Sequence, residues 1–536
     1  MKISEEIVLL YQKITAIYQH RARLAQEENK IEVDEMSSHL ASFYEKIRNS
    51  VDFKEVHLLR RFAIERNLKR HFLIENLRPQ MARSLIEDLI RSKYVANKEL
   101  SEILVKKVEL LIIKYNQLYL MMNELYHGSE VQNYFDWLIG VEACEIDMTL
   151  VPENVEDAVI EAMYQVTKQR IKLKGGDDLT IKEKNIQLYI AIHRSLVKSD
   201  DTIISYHLLN LYFDRWLYAD QQTIKLVASN LASIYRSVQR RLHHPYQRKI
   251  LESIKEPVVT FRVLYELIVS QGERLEDLLT NPDLLEAEAK ILIHQKYNKL
   301  RQRLSRASVR AIFYIFVTKV LAALVLELPY EAYVIRQVNY LNLFINIVFP
   351  SVLMFLVTMS VRPPSEANTK LILENLKNLI YSQYSQSILC QLRSRYRQSS
   401  GWQIFYHFMY TLLYILVFGT VIYFLQLLNF NVLSGGIFII FLSAVSFFAL
   451  KIRNTAKEFL VLKRKEGAIS FLINFFSLPI IGLGLWMSRR FRKINIFAFI
   501  MDYIVEAPLK LLIAALEDWL GFMREKKEEV EHENRG

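Results

Sequence analysis

Chain breakers are what this sequence has least of. Its 536 residues include 14 glycines and 11 prolines, roughly a third and under half of ordinary usage, which argues against a loop-rich or all-β fold and for helices throughout. Cysteine is scarcer still. Cys144 and Cys390 stand alone in different regions, which excludes a disulfide framework or a cysteine metal set and suits a reducing compartment. Catalytic, nucleotide and metal signatures are also missing, so no cofactor is expected. The KGGDD turn at Lys174–Asp178 lacks the second glycine and the Lys-Ser/Thr of a phosphate loop. The adjacent His243 and His244 point about 100° apart on a helix and have no HExxH or cysteine partner. The first residues, MKISEEIVLLYQKITAIYQHR, carry Glu5 and Glu6 and only a short apolar run. They are not a signal or transit peptide, so the first 300 residues are expected to stay on the side of their synthesis.

What is present divides near residue 310. Charge is dense before it and nearly all long apolar runs come after it, so the 51% hydrophobic content averages two unlike regions. The join is Asp283–Leu328, which contains neither proline nor glycine. Its first part mixes acids, bases and aliphatics, and from Ala311 onwards it is almost wholly apolar. As one helix it is about 70 Å long against a bilayer core of roughly 30 Å, enough to join a soluble body to a membrane body.

The fold class expected is therefore all-α, with an N-terminal soluble helical region and a C-terminal polytopic membrane domain. Residues 1–174 and 183–282 form two helical subdomains with a soft boundary at the KGGDD turn, and 283–310 is the linking helix. In the first subdomain Ser4 reads as an N-cap, followed by a seam of Ile7, Leu10, Ile14, Ile17 and Leu24 that suits core packing. Glu99–Tyr126 is apolar enough to be central to the core, yet its lysines and glutamates exclude a span. Two basic clusters, His57–His71 and Tyr235–Lys249, read as solvated helix faces. Anionic lipid headgroups are their alternative partner, and nucleic acid is not expected.

The transmembrane domain, 311–487, holds spans at 311–328, 341–361, 405–428 and 432–450. Six basic residues, Lys296 to Arg310, precede the first span. The second connection and the segment after the fourth span are also basic, whereas the first connection is acidic and the third uncharged. The positive-inside rule then puts the N-terminal half in the cytoplasm beneath a bacterial-type plasma membrane. A fifth apolar run, 468–487, is followed by Arg489, Arg490, Arg492 and Lys493, and contains Pro479, Gly482 and Gly484. A re-entrant hairpin there keeps the charge rule and a fifth span breaks it, while the extreme C-terminus is cytoplasmic in either case, after a hairpin or after a fifth and sixth span. In 494–529, Asn495, Asp502, Glu506, Lys510, Glu517 and Arg524 fall within about 80° of one another, an amphipathic helix suited to the headgroup plane or to a kinked sixth span.

Lys319, about 13.5 Å in from Arg310, is the charged residue near mid-membrane and so the default functional candidate. Glu327 lies eight residues on and about 80° round an α-helix, which makes it a poor partner. Asp502 and Glu506, with Lys510 nearby, are better ones if their segment spans. The dense aromatics at the ends of 405–428 form an interfacial belt. Three classes of function follow: a membrane-anchored scaffold or assembly factor with a protein partner for its soluble half, a channel or transporter using Lys319, Asp502 and Glu506, and a lipid-modifying membrane enzyme.

Overall fold

The computed structural model describes residues 3–26, 29–51, 58–74, 81–151, 155–175, 179–213, 216–359, 364–381, 388–392, 400–462, 467–492 and Trp519. The fold is all-α apart from one short ribbon. In the first part run α1 (Glu5–Ala25), α2 (Glu35–Val51), α3 (Leu59–Ile74), α4 (Met81–Arg91), α5 (Glu102–Leu125), α6 (Val131–Leu150), α7 (Val155–Arg170), β1 (Ile171–Gly175), α8 (Ile181–Leu196), α9 (Asp201–Tyr212), α10 (Gln221–Ser229), α11 (Leu231–Leu242), α12 (Gln247–Ser253) and α13 (Lys255–Ser270). Then come α14 (Leu275–Thr280), α15 (Pro282–Ala322), α16 (Tyr340–Met359), α17 (Glu366–Ile380), β2 (Ile388–Leu392), α18 (Ser400–Leu427), α19 (Val432–Ala456) and α20 (Ala468–Arg492).

Compact packing divides the chain into two units, with the change at Val258–Val259 inside α13. In the soluble unit α5 is central, as its composition requires: Val108, Ile112, Tyr115, Leu118 and Tyr119 are all buried. Side-chain caps start its helices. The Ser101 hydroxyl accepts from Ile103 N–H, Asp200 from Ile203 and Asp220 from Thr223, each satisfying a donor the helix cannot. Residues before and after Lys174–Asp178 contribute to a single hydrophobic core running from Ile31 to Leu242. The departure from all-α is the parallel pairing of β1 with β2, in register from Ile171–Ile388 to Gly175–Leu392. The Cys390 thiol lies against the Lys249 carbonyl of α12 at 3.9 Å. The connection between α17 and α18 thus enters the soluble unit for a few residues before returning.

In the other unit, five helices are long and apolar enough to cross a membrane: Pro282–Ile335, Tyr340–Met359, Ile404–Leu427, Val432–Ala456 and Phe471–Arg490. The protein is membrane-embedded. Pro282 opens the first at the N1 region, and Asn281 caps it by accepting from Asp283 and Leu284 N–H. Contacts at Asn368 of α17 fix relative sidedness. Its amide donates to the Tyr297 hydroxyl on the charged part of α15 (2.9 Å) and to the Phe459 carbonyl (2.8 Å), and its oxygen accepts from Val461 and Leu462 N–H. The start of the α15 span, the α16–α18 connection and the segment after α19 therefore share one face of the bilayer.

The hairpin expected at 468–487 gives way to one continuous helix, α20, which runs through Pro479. A proline removes one hydrogen bond, which membrane helices tolerate. The glycines do not turn the chain; they let helices touch. A Cβ on Gly484 would lie 2.2 Å from the Ser443 carbonyl oxygen of α19, and one on Gly482 would lie 2.6 Å from the Tyr414 hydroxyl of α18. The Arg453 guanidinium donates to the Asn474 side-chain oxygen (3.1 Å). With Ser443 against Gly484, this sets α20 antiparallel to α19.

Candidate functional site

Inside the membrane unit a buried polar chain crosses between α15, α16 and the start of α19. It begins where α15 changes pitch. After Ala322 the helix widens into a π-turn over Ala323–Glu327, passes Pro329, and widens again over Tyr330–Ile335. Proline lacks the donor that the α-helical ladder needs and crowds the preceding turn, and wider turns on either side absorb both. Arg336, at φ +60°, ends the helix.

This widening corrects the expectation that Glu327 is a poor partner for Lys319. A π-turn advances each residue by about 80° instead of 100°, so eight residues return Glu327 nearly beneath Lys319. The Lys319 ammonium donates to Glu327 Oε1 at 2.8 Å, with the two side chains 0% and 1% exposed. The Phe441 ring of α19 covers the same ammonium, its centroid 4.8 Å from Nζ. Asn346 of α16 donates to Glu327 Oε2 at 2.5 Å and to the Ser434 carbonyl at 3.3 Å. One helical turn on, Glu331 is 3% exposed. It accepts from the Asn431 amide (2.7 Å), the Asn339 backbone N–H (3.1 Å) and the Ser434 hydroxyl (3.4 Å). Asn431 is also the N-cap of α19, accepting from Ser434 N–H. Glu331 therefore faces the positive end of a helix dipole, which favours an anion. Asn342 closes the set by donating to the Asn429 carbonyl at 2.8 Å.

The chemistry is that of an internally compensated charge pair plus one carboxylate held by neutral donors. The Asn346 and Asn342 side-chain oxygens, Ser351 Oγ and Ser443 Oγ are buried without a hydrogen-bond partner among the described residues. Asp502, Glu506 and Lys510, the other candidates, lie outside the described residues, as does the helix expected at 494–529. The asparagines were missed from sequence, although Asn339, Asn342 and Asn346 recur at helical spacing from just before the second span into it, a visible signal once polar amides are counted as well as charges.

A second buried network, also missed, lies in the soluble unit between the antiparallel α5 and α6. Glu145 accepts from Lys114 (2.5 Å) and from the Tyr115 hydroxyl (2.7 Å), while Lys114 also donates to the Trp216 carbonyl (3.0 Å). Glu142 accepts from the Tyr119 hydroxyl at 2.7 Å. Burial pushes the Glu142 carboxyl up to about 8, so it is protonated at neutral pH. Burial likewise lowers the Lys114 ammonium.

The first basic cluster is largely consumed by acids: Arg60 pairs with Asp147, Arg61 with Glu65 and Asp200, Arg66 with Glu45, and Lys69 with Glu65 and Asp136. In the second, Arg241 pairs with Glu183 at 2.9 Å, and no group of three or more metal-ligating side chains occurs among the described residues. No family model, curated protein or solved structure matches the chain.

Proposed function

We propose that the chain is a membrane-anchored helical scaffold, in which a soluble unit recruits a protein partner and a bundle of apolar helices holds it at the bilayer. The observation that carries this reading is the closed Lys319–Glu327–Asn346 set. A charge in a span marks an ion path by default. Here the ammonium and carboxylate satisfy each other with almost no exposure, which is what a device for fixing the register of α15, α16 and α19 needs. The basic flank of α15, Lys296 to Arg310, supports a cytoplasmic position for the soluble unit and contact with anionic headgroups.

One observation favours a second reading, a proton or cation path. Glu331 is a buried carboxylate with no cation at ion-pair distance among the described residues. Full-length protein taken from its own membranes in mild detergent distinguishes the two. The scaffold reading expects a protein partner to be recovered equally with wild type and with Lys319→Met/Glu327→Leu. Proton or monovalent-cation flux in liposomes carrying wild type, lost in Glu331→Gln, replaces the scaffold with a transporter.

A further inference from the structure

One face of α5 is built like half of an interface. Lys106, Leu110, Ile113, Gln117, Leu120 and Glu124 recur at alternating spacings of four and three, the repeat that draws a single seam along a helix, and Ile103 extends it by one turn. The opposite face is locked in the core by Val108, Ile112 and Tyr115, so the seam is held rigidly outward. Its aliphatics are bare: Ile103 is 59% exposed, Leu110 66%, Ile113 37% and Leu120 66%. Single exposed leucines are ordinary, whereas four apolar side chains in one heptad register are not scatter. α10, which packs against α5, adds the exposed Leu226. The Tyr126 hydroxyl after α5 donates to the Ala228 and Ser229 carbonyls at the end of α10.

We propose that this seam is where two copies of the chain meet, antiparallel, about a two-fold axis that crosses α5 midway between Ile113 and Gln117. The charge pattern selects this occupant. Rotation about that axis sets Lys106 of one copy opposite Glu124 of the other, Leu110 opposite Leu120, and Ile113 opposite Gln117, with every pair repeated on the far side as an isologous contact requires. An in-register parallel pairing instead sets Lys106 against Lys106 and Glu124 against Glu124, and like charges facing each other repel. From Lys106 to Glu124 the seam runs about 27 Å, a short zipper by itself. Tethering both copies to one membrane raises their effective concentration and offsets that shortness. The inference holds whether the anchored protein is a scaffold or a transporter.

The test uses two differently tagged full-length chains, both carrying Cys144→Ala and Cys390→Ala. One carries Leu110→Cys and the other Leu120→Cys, and they are co-expressed and oxidised in native membranes. A mixed disulfide several-fold more abundant than either like pair is expected. In the antiparallel pairing two copies of position 110 are offset by about 15 Å along the helix, well beyond disulfide reach. Like-pair cross-links in excess, or no cross-link at all, overturn the proposal. A second measurement does not depend on cysteine chemistry. In detergent, Lys106→Glu and Glu124→Lys each shift the full chain several-fold toward monomer, and the two together restore the dimer. Both side chains are exposed, so folding is not at stake. Failure of the pair to restore what each alone removes overturns the proposed register, and recovery of a different polypeptide on the seam without self-cross-linking overturns the second copy as its occupant.

Discussion

Replacing Glu327 with leucine in the full chain strands the Lys319 ammonium at 0% exposure, with the Phe441 ring as its remaining contact among the described residues. Removing one member of a buried pair costs about 3–5 kcal/mol, because the other is left charged and desolvated. Among the described residues, Lys319→Met leaves Glu327 with only the Asn346 amide, and its loss falls in the same range. Replacing both removes the charges together, an exchange that is neutral or stabilising by about 1–4 kcal/mol. The expected pattern is thus two severe single variants and a benign double, with a coupling at least as large as either single loss. Thermal unfolding in detergent reads it out. Each single lowers the midpoint by about 6–20 °C for a unit of this size, and the double recovers it. Additive losses in the double variant, or single losses below about 0.5 kcal/mol, refute the idea that the pair is a closed structural device.

Three further perturbations follow from the same contacts. Gly484→Ala should separate α20 from α19, since its Cβ would meet the Ser443 carbonyl oxygen at 2.2 Å, while Gly436→Ala, with nothing within 4 Å, should be neutral or gain up to about 1 kcal/mol of helix propensity; thermal unfolding of the two variants must differ in sign or the packing is misassigned. Glu142 keeps its proton to about 8 in the native state against 4.5 when unfolded, so the native state binds more protons across that window and stability falls as pH rises through it. Denaturant titrations at about pH 5 and about pH 9 should show that loss in wild type and not in Glu142→Gln. Finally, α20 as a span carries Phe491 to the face opposite the start of the α15 span, whose basic flank the orientation rule puts inside, so Phe491→Cys in a cysteine-free background should react with an impermeant thiol reagent in intact cells; labelling only after permeabilisation would return the hairpin.

Much of the architecture was legible because it rests on composition. The change of character near Ala311 marks where the apolar helices begin, although the compact unit that holds them starts earlier, at Val259 inside α13, and the buried face of α5 follows from its apolar spacing. The candidate site was half legible. Lys319 stands out as a charge in an apolar run, but its partner was hidden by the assumption of a constant 100° per residue, which Pro329 and the π-turns beside it break. Hydropathy also undervalues amides, so Asn346 and Asn431 passed as ordinary polar residues until the structure placed them on Glu327 and Glu331. The β1–β2 ribbon was out of reach for a different reason: it joins Ile171–Gly175 to Ile388–Leu392, and no local pattern announces a pairing across that much chain.

The ribbon and Asn368 together bear on what the membrane unit can do. Asn368 ties α15, α17 and the segment after α19 on one face of the bilayer, while the connection between α17 and α18 contributes β2 to the soluble unit. At the other end of the spans, Asn342 reaches the Asn429 carbonyl and Asn431 reaches Glu331, so the turn between α18 and α19 is fastened to the end of the α15 helix. The α15–α16 pair is therefore pinned to α19 near both membrane faces, with the Lys319–Glu327 pair between the two fastenings. Relative sliding of these helices has to break an amide contact at one end and separate a desolvated ion pair in the middle. An arrangement so expensive to shift suits an anchor, and α20 adds to it, locked on α19 where Gly484 meets the Ser443 carbonyl and Arg453 reaches Asn474.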